Sequence, residues 1–276
     1  MTPQEQESIQ PERVKSAPSQ NLLGVGAAKE LAIQHLFEQV SLKRELQIAG
    51  MLLRRGIARV SIAEALTWVK SDPVFVRPHP EGKLLTTRQV RDTENKMIQL
   101  AADGQGKHEP LSGGKEWLIR HPLVATSEEQ SKAVRHVLDS EDFVISFKGP
   151  AGAGKTGLMT EAVTAIESLS GKRVMILAPS SPSVEVLRAQ GFARANTLQQ
   201  FELNPELQQA VKGQVLWVDE AGFLSVRQML ELQEFAVEHN CRLVLNGDTK
   251  QRHSVQRGRC PSDLGTIGCY SAGRTH

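Results

Sequence analysis

Short apolar runs alternate with amphipathic stretches in the second half of the chain. The apolar runs predict four strands, at 143–148, 173–178, 214–218 and 241–246. Helical spacing of the apolar positions predicts three helices, at 155–170, 182–190 and 225–239. Apolar strands that alternate with helices are typical of a parallel sheet covered on both faces. The predicted fold class is therefore α/β.

The first half of the chain has a mainly helical pattern. Apolar residues recur at helical spacing in three segments, at 27–40, 42–53 and 61–69. Two apolar runs, 74–77 and 83–87, flank a turn at Pro78–Gly82 and predict a β-hairpin. A further helix is expected from a cap at Thr86 to about Ala102. Helices followed by a hairpin indicate a small winged-helix-like module.

The charge of the chain is nearly balanced, so any contact with nucleic acid must be local. The net charge is +2, and aromatic residues make up 4% of the chain, too few for recognition mainly by base stacking. In the helical module, Arg54, Arg55 and Arg59 are candidates for DNA contact. The alternative is a packing module with ordinary surface arginines, because three arginines do not make a basic stripe.

Composition changes along the chain divide it into five segments. The predicted segments are a disordered tail at 1–24, the winged-helix-like module at 25–104, a linker at 105–120, the phosphate-loop lobe at 121–258 and an irregular tail at 259–276. No apolar run approaches the length of a membrane span, and the N-terminus lacks a signal-peptide core. We expect a cytoplasmic protein with no membrane segment.

The clearest chemical signal follows the first of the four predicted strands. The stretch from Gly149 to Thr156 reads GPAGAGKT and fits the phosphate-loop pattern G-x-x-x-x-G-K-[ST] between a strand and a helix. The predicted phosphate cradle consists of Gly149, Pro150, Ala151, Gly152, Ala153 and Gly154. Lys155 should reach the β and γ phosphates, and Thr156 should ligate Mg²⁺. The alternative is a chance match to a short pattern.

Two further signals follow later strands. Asp219 and Glu220 end the third strand, where Asp219 would hold Mg²⁺ and Glu220 would orient or deprotonate the attacking water. Gln251 lies just past the fourth strand and would touch the γ-phosphate. Taken alone, the carboxylates would be a surface pair and Gln251 a turn residue. Their position after the phosphate loop favours an ATP–Mg²⁺ site.

The order of these stretches resembles a known helicase family. The segments GPAGAGKT, LAPSSPSVEVL, VLWVDEAGFLS and LVLNGDTKQRHSV resemble motifs I, Ia, II and III of superfamily 1 DNA helicases, closest to the RecD-like group. The SxEQxxAVxxxL pattern before the phosphate loop is similar to the helicase region of MobF-type conjugative relaxases. The resemblance covers about 25–258 and implies a RecA-like first motor lobe.

The resemblance also implies roles for further residues. Gln130 matches the glutamine that recognises adenine; the alternative is a glutamine on a helix surface. The predicted contacts with single-stranded DNA are Pro179, Ser180, Ser181 and, more weakly, Thr197. For motif Ia the alternative is a strand-to-helix turn with Ser181 as its cap. The implied function is the ATP-binding first lobe of a helicase whose ATP hydrolysis is coupled to single-stranded DNA, with other relaxosome proteins as further partners.

The sequence also departs from this family. The chain has one tyrosine, Tyr270, and no H-x-H pair, so the nicking half of a relaxase is not expected here. The pattern is lost at Arg259, which predicts that a second motor lobe with its arginine finger is missing through truncation or a frameshift. We then expect slow hydrolysis and no processive unwinding. The alternatives are a non-motor, nucleotide-dependent DNA-binding module and a non-functional truncated remnant.

Overall fold

A computed structural model describes six parts of the chain. These are residues 24–38, 40–56, 59–79, 82–148, 154–247 and 269–271. The chain folds into two compact units. The N-terminal unit comprises 1–36 and 44–72, and the sheet unit comprises 37–43 and 73–276. Among the described residues, no helix combines the length and apolar character that crossing a membrane requires.

The N-terminal unit is built mainly from helices. Its elements are α1 (Val25–Phe37), β1 (Lys43–Arg44), α2 (Glu45–Arg55) and α3 (Ile62–Ser71), of which α1 and β1 each extend into residues that belong to the sheet unit. The predicted capping box is confirmed at α3, where the Ser61 hydroxyl accepts from the Glu64 N–H and the Glu64 carboxylate accepts from the Ser61 N–H. Arg54, Arg55 and Arg59 are exposed, as both interpretations of this module require.

From residue 73 onward, the sheet unit starts with a hairpin and a long helix. Strands β2 (Phe75–Val76) and β3 (Leu84–Thr87) pair antiparallel, which confirms the predicted hairpin. Helix α4 (Arg88–Asp103) follows at once and is capped by the Thr87 hydroxyl, which accepts from the Val90 N–H. The predicted cap at Thr86 is therefore wrong by one residue.

The rest of the sheet unit is a parallel sheet covered by helices. Its strands are β4 (Val144–Lys148), β5 (Val174–Ala178), β6 (Asn196–Thr197), β7 (Val215–Val218), β8 (Arg242–Gly247) and β9 (Cys269–Ser271). Its helices are α5 (Pro122–Ala125), α6 (Glu128–Asp139), α7 (Lys155–Ser170), α8 (Ser181–Ala189), α9 (Leu198–Leu203), α10 (Pro205–Ala210) and α11 (Val226–Glu238), with a 3₁₀ turn at Ala221–Phe223. The strand order is β6-β5-β7-β8-β4-β9, and every pair is parallel. The predicted α/β class with a RecA-like parallel sheet is confirmed.

The four predicted strands form the middle of this sheet because they are apolar on both faces. On β7, Trp217 packs in the apolar cluster on one face, with α6 and α7, while Leu216 and Val218 pack on the other face, with α11. Burial on both faces fixes the strand register, since a slip of one residue would exchange the two faces. The short strand β9 falls within the predicted irregular tail, whose other residues lie outside the described residues.

The segment predicted as a linker, 105–120, belongs to the sheet unit and is held by buried side chains of its strands and helices. Arg242 is 3% exposed and donates from Nη1 to the Glu109 carbonyl (2.6 Å) and from Nη2 to the Ser140 carbonyl (2.9 Å). Burial lowers the pKa of Arg242 to about 10. The predicted domain boundaries stay a prediction, and the sheet unit already resumes at residue 73, well before the predicted linker.

Glu161 on α7 holds the end of the same segment. The residue is 5% exposed, and its carboxylate accepts from Trp117 Nε1 (2.6 Å), the Arg120 N–H (2.9 Å) and the His121 N–H (2.8 Å). Burial alone would raise the pKa of Glu161, but these hydrogen bonds outweigh it, so the pKa lies below the ordinary value of 4.5. Glu161 therefore fixes residues 117–121 on the first turns of α7.

We expect Glu161→Gln to destabilise the protein by about 1–3 kcal/mol at neutral pH. Three N–H donors converge on two carboxylate oxygens, and the amide NH₂ of glutamine would face one of them. Because the folded-state pKa is depressed, the contribution of Glu161 is present above pH 4.5 and is lost as the pH falls through the folded-state pKa. Urea unfolding at several pH values measures this difference. The exposed Glu116→Gln is the control, and identical curves for the two variants would contradict the assignment.

Candidate functional site

The site is built around the start of α7. Strand β4 ends at Lys148 and α7 begins at Lys155, so the gap between them has the length of a phosphate loop. Its residues, from Gly149 to Ala153, lie outside the described residues, and their predicted role stays a prediction. Gly154 is described and adopts φ 74°, a left-handed conformation that favours glycine. The N-terminal end of α7, which carries a partial positive charge, lies directly after this gap.

Gln130 lies directly beside this helix start. A Cβ atom added at Gly154 would come within 2.6 Å of Gln130 Nε2, so only glycine allows this approach. One turn further along α7, a Cβ atom at Gly157 would come within 2.7 Å of His121 Cε1. His121 and the first turn of α6 thus pack closely over the first turn of α7. This places Gln130 near the predicted nucleotide, as the resemblance implies; its contact with adenine stays a prediction.

A cavity opens at the carboxyl ends of the central strands. Its volume is about 290 Å³. Polar side chains that line it are Lys155, Thr156, Ser183, Gln190, Asp219, Glu220 and Asn246. Four of the residues predicted as separate signals, Lys155, Thr156, Asp219 and Glu220, therefore lie around one space. The carboxyl edge of a parallel sheet is where such folds bind ligands.

The carboxylate pair is held at the end of β7. The Asp219 N–H donates to the Leu177 carbonyl (2.8 Å), and Asp219 Oδ1 accepts from the Glu220 N–H (3.0 Å). Glu220 adopts φ 53°, an uncommon conformation for a residue other than glycine. This backbone turn stores strain of the kind found at functional sites. It also aims two successive carboxylates at one cavity.

A hydroxyl pair joins Glu220 to the turn after β5. Ser183 Oγ donates to Glu220 Oε2 (3.3 Å), and Ser180 Oγ and Ser183 Oγ share a hydrogen bond of 2.8 Å. Ser180 also caps α8, because its hydroxyl accepts from the Ser183 N–H (3.3 Å). The alternative that made Ser181 the cap is therefore wrong. We call Ser180, Ser183 and Glu220 the serine–glutamate chain.

The predicted DNA-contact residues have different environments. Pro179, Ser180 and Ser181 are exposed on the turn between β5 and α8, where a DNA backbone can reach them. Thr197 is 7% exposed, and its hydroxyl accepts from the Gln200 N–H (3.0 Å) as the cap of α9. A DNA contact through that hydroxyl would require the cap to open. The predicted roles of all four residues stay predictions.

Like Gly149–Ala153, Gln251 lies outside the described residues, and three residues that line the cavity were not predicted. Gln251 follows the last described residue of β8, so its place relative to the cavity stays a prediction. Ser183, Gln190 and Asn246 line the cavity and were missed. Asn246 had a detectable signal, because it is a polar residue that ends the apolar run Leu243–Leu245. Ser183 and Gln190 had no such signal in the sequence, because polar residues are common on the surface of a helix.

The donors around the cavity fit a magnesium–nucleotide complex. Thr156, Asp219, Glu220 and Asn246 offer the oxygen ligands that Mg²⁺ prefers. Lys155 offers a positive charge for phosphate oxygens. Asn246 is 2% exposed, and both polar atoms of its amide have no hydrogen-bond partner among the described residues. An unpartnered buried amide at the cavity wall is expected where a polar ligand completes the site.

Over residues 125–268, more than half of the chain, the sequence matches the AAA domain family. The chain belongs to this family. The AAA domain covers α6 to β8 and so includes the start of α7, the carboxylate pair and Asn246. AAA domains are phosphate-loop NTPase domains, so nucleotide binding, typically with Mg²⁺, is implied for the cavity.

The chain is also similar to three conjugal transfer proteins. A probable conjugal transfer protein TraA of Sinorhizobium fredii is 35% identical over 134 residues. The conjugal transfer proteins TraA of Rhizobium radiobacter and Agrobacterium fabrum are each 31% identical over 134 residues. Each match covers 48% of this chain but only 12% of the relative. The predicted resemblance to conjugative relaxase–helicases is confirmed, and the chain spans a small part of these relatives.

Proposed function

We propose that this chain is the ATP-binding first motor lobe of a DNA helicase of the conjugative-transfer relaxase type. One observation carries the proposal: Lys155, Thr156, Asp219 and Glu220 surround a single cavity at the carboxyl edge of the sheet. In sequence these residues fall in two groups more than 60 positions apart. The sheet brings them around one cavity, which supports a role in phosphoryl transfer to water.

Each residue has a separate task in this proposal. Lys155 binds the β and γ phosphates, together with the phosphate loop from Gly149 to Gly154. Thr156 and Asp219 would hold Mg²⁺, which would offset the negative charge of the phosphates when bound. Glu220 orients the attacking water and accepts its proton.

Two glutamines complete the proposed nucleotide site. Gln130 recognises the adenine base, and its position beside Gly154 supports that role. Gln251 contacts the γ-phosphate and reports its loss to the rest of the motor. These two contacts would make binding selective for ATP and sensitive to its hydrolysis.

DNA is the proposed partner of the same lobe. The exposed turn at Pro179, Ser180 and Ser181 would hold single-stranded DNA through hydroxyls and backbone groups, which read phosphates without regard to sequence. Thr197 belongs to this proposed surface only if its cap opens. The similarity to conjugal transfer proteins supports single-stranded DNA, and other relaxosome proteins, as partners.

The test is ATP hydrolysis by the 276-residue chain, measured with and without single-stranded DNA, alongside binding of a fluorescent ATP analogue. We expect Mg²⁺-dependent nucleotide binding and measurable turnover. No binding in the presence of Mg²⁺ would contradict the proposal. DNA affinity that changes with ATP, without turnover, would instead favour a non-motor nucleotide-dependent DNA-binding module.

A further inference from the structure

Gln190 caps the C-terminal end of α8, at the wall of the cavity. Its backbone N–H donates to the Val186 and Leu187 carbonyls, each at 3.1 Å, and so closes the last turn of the helix. The chain turns away at once, because Gly191 adopts φ 99° and the Phe192 N–H also donates to the Leu187 carbonyl (3.1 Å). Leu187 and Phe192 pack in the apolar cluster on the face covered by α7. The backbone of Gln190 is therefore fixed relative to the sheet.

The side chain of Gln190 reaches the start of α7. The Thr156 hydroxyl donates to Gln190 Oε1 at 3.3 Å. The two residues are 34 positions apart in the sequence, and both line the cavity together with Lys155 and Asp219. Helix α8 thus contacts, from outside the phosphate loop, the hydroxyl that is proposed to hold Mg²⁺.

The direction of this hydrogen bond matters for the chemistry of a hydroxyl ligand. A threonine hydroxyl has one proton and two lone pairs. A metal ion takes a lone pair, so the proton must point elsewhere. Because Gln190 Oε1 accepts that proton, the lone pairs of Thr156 are left for other partners in the cavity. Partners that hold a metal ligand from behind in this way commonly strengthen metal binding by about 10–100-fold.

A neutral acceptor also suits the charge of the cavity. The lining already includes the carboxylates of Asp219 and Glu220 beside the ammonium group of Lys155. A further carboxylate at position 190 would repel the phosphates of a nucleotide wherever no metal ion offsets its charge. An amide accepts the Thr156 proton without adding charge.

We propose that Gln190 is a positioning residue for Mg²⁺ binding. Its Oε1 accepts the Thr156 proton and so orients the hydroxyl oxygen toward the metal site shared with Asp219. The inference rests on the proposed ATP–Mg²⁺ site, and it adds the C-terminal end of α8 to the parts of the fold that support that site. In this role Gln190 acts through Thr156 and needs no contact with the metal or the phosphates.

The test is a Mg²⁺ titration of nucleotide binding by Gln190→Leu. A fluorescent, non-hydrolysable ATP analogue reports the binding, so turnover does not enter the measurement. We expect the Mg²⁺ concentration for half-maximal binding to rise by about 3–10-fold, because the hydroxyl loses its acceptor at a position that solvent can reach. Binding in excess EDTA should change by less than about twofold, since no metal ligand is in use there.

Gln190→Glu is the conservative variant, because it keeps an acceptor oxygen and adds a negative charge. Its Mg²⁺ requirement should equal that of the wild type or fall below it. Its binding in EDTA should weaken by at least about threefold, since the added charge repels the phosphates. Weaker binding by both variants in both conditions would show that Gln190 only supports the packing of α8, and would overturn the inference. Gln209→Leu, at an exposed position on α10, is the matched control and should leave both measurements unchanged.

Thr156→Val shows whether the effect of Gln190 passes through the hydroxyl. Valine keeps the branched shape and removes the hydroxyl, so the Mg²⁺ requirement should rise. Adding Gln190→Leu to Thr156→Val should then cause no further rise, because the hydrogen bond is already absent. A further rise equal to that of Gln190→Leu alone would contradict the proposed role.

The outcomes separate this inference from the proposed function. If the wild type binds the ATP analogue more tightly with Mg²⁺ and Gln190→Leu has the same Mg²⁺ requirement, the role of Gln190 alone is overturned. Absence of Mg²⁺-dependent binding by the wild type would overturn both the proposed site and this inference.

Discussion

Replacing Lys155 with alanine is expected to reduce ATP turnover by ~10²–10³-fold, the effect of removing one group that stabilises developing charge. Lys155 is the first residue of α7 and lines the cavity with Thr156 and Asp219. Its ammonium group adds a full positive charge to the partial charge of the helix end. In the proposed site both would act on the same phosphate oxygens, and alanine would keep only the helix.

Nucleotide binding should weaken in the same variant, because phosphate oxygens lose a charged donor in the bound state as well. Titration with a fluorescent ATP analogue measures this loss separately from turnover. The control is Lys212→Ala, which removes an exposed lysine before β7, at the opposite edge of the sheet. Intact binding and turnover in Lys155→Ala would show that the cavity is not the nucleotide site.

Glu220→Gln should separate hydrolysis from binding. Glutamine has the shape of glutamate but cannot accept a proton, so turnover should fall by about 10²–10⁴-fold if Glu220 is the general base. Affinity for ATP should change little, since Lys155 and the Mg²⁺ ligands Thr156 and Asp219 remain. Single-turnover hydrolysis and equilibrium titration on the same preparation give the two quantities.

The matched control for this prediction is Glu206→Gln, at an exposed position on α10 away from the cavity. It should leave hydrolysis unchanged. Turnover by Glu220→Gln within a factor of about two of the wild type would remove Glu220 from the role of general base. A parallel loss of binding and turnover would instead assign it to binding.

The sheet could be predicted from the sequence because its strands are buried on both faces. Short continuous apolar runs such as Val215–Val218 are compatible with few structures other than a buried strand. The predicted strands agree with the observed ones to within one residue at each end. The location of the candidate site could be predicted from the parallel arrangement of the same strands. Parallel strands bring their carboxyl ends to one edge, so residues that end different strands lie close together.

The contributions that sequence reasoning missed depend on contacts between distant residues. Asn246 shows a local signal as the polar end of an apolar run, but only the strand register places it beside the end of β7. The glycine-rich stretch near residue 113 has the composition of a linker, yet Gly113 and Gly114 adopt positive φ angles within a packed segment. Its partners, Glu161 and Arg242, lie 40 to more than 100 positions away in the sequence. Composition predicts the turns there, but only the fold shows what the turns pack against.

The serine–glutamate chain has a thermodynamic consequence. The Ser183 hydroxyl has one proton to donate, so it can hold the Glu220 carboxylate or serve an acceptor at the turn of Ser180, but not both. If a DNA phosphate at Ser180 draws that proton away, the carboxylate is released toward its water. If DNA binding changes the affinity for such a nucleotide state by some factor, thermodynamic linkage requires that this nucleotide state change the affinity for DNA by the same factor. DNA affinity and the binding of nucleotide beside a released Glu220 would then be coupled through one hydrogen-bond equilibrium.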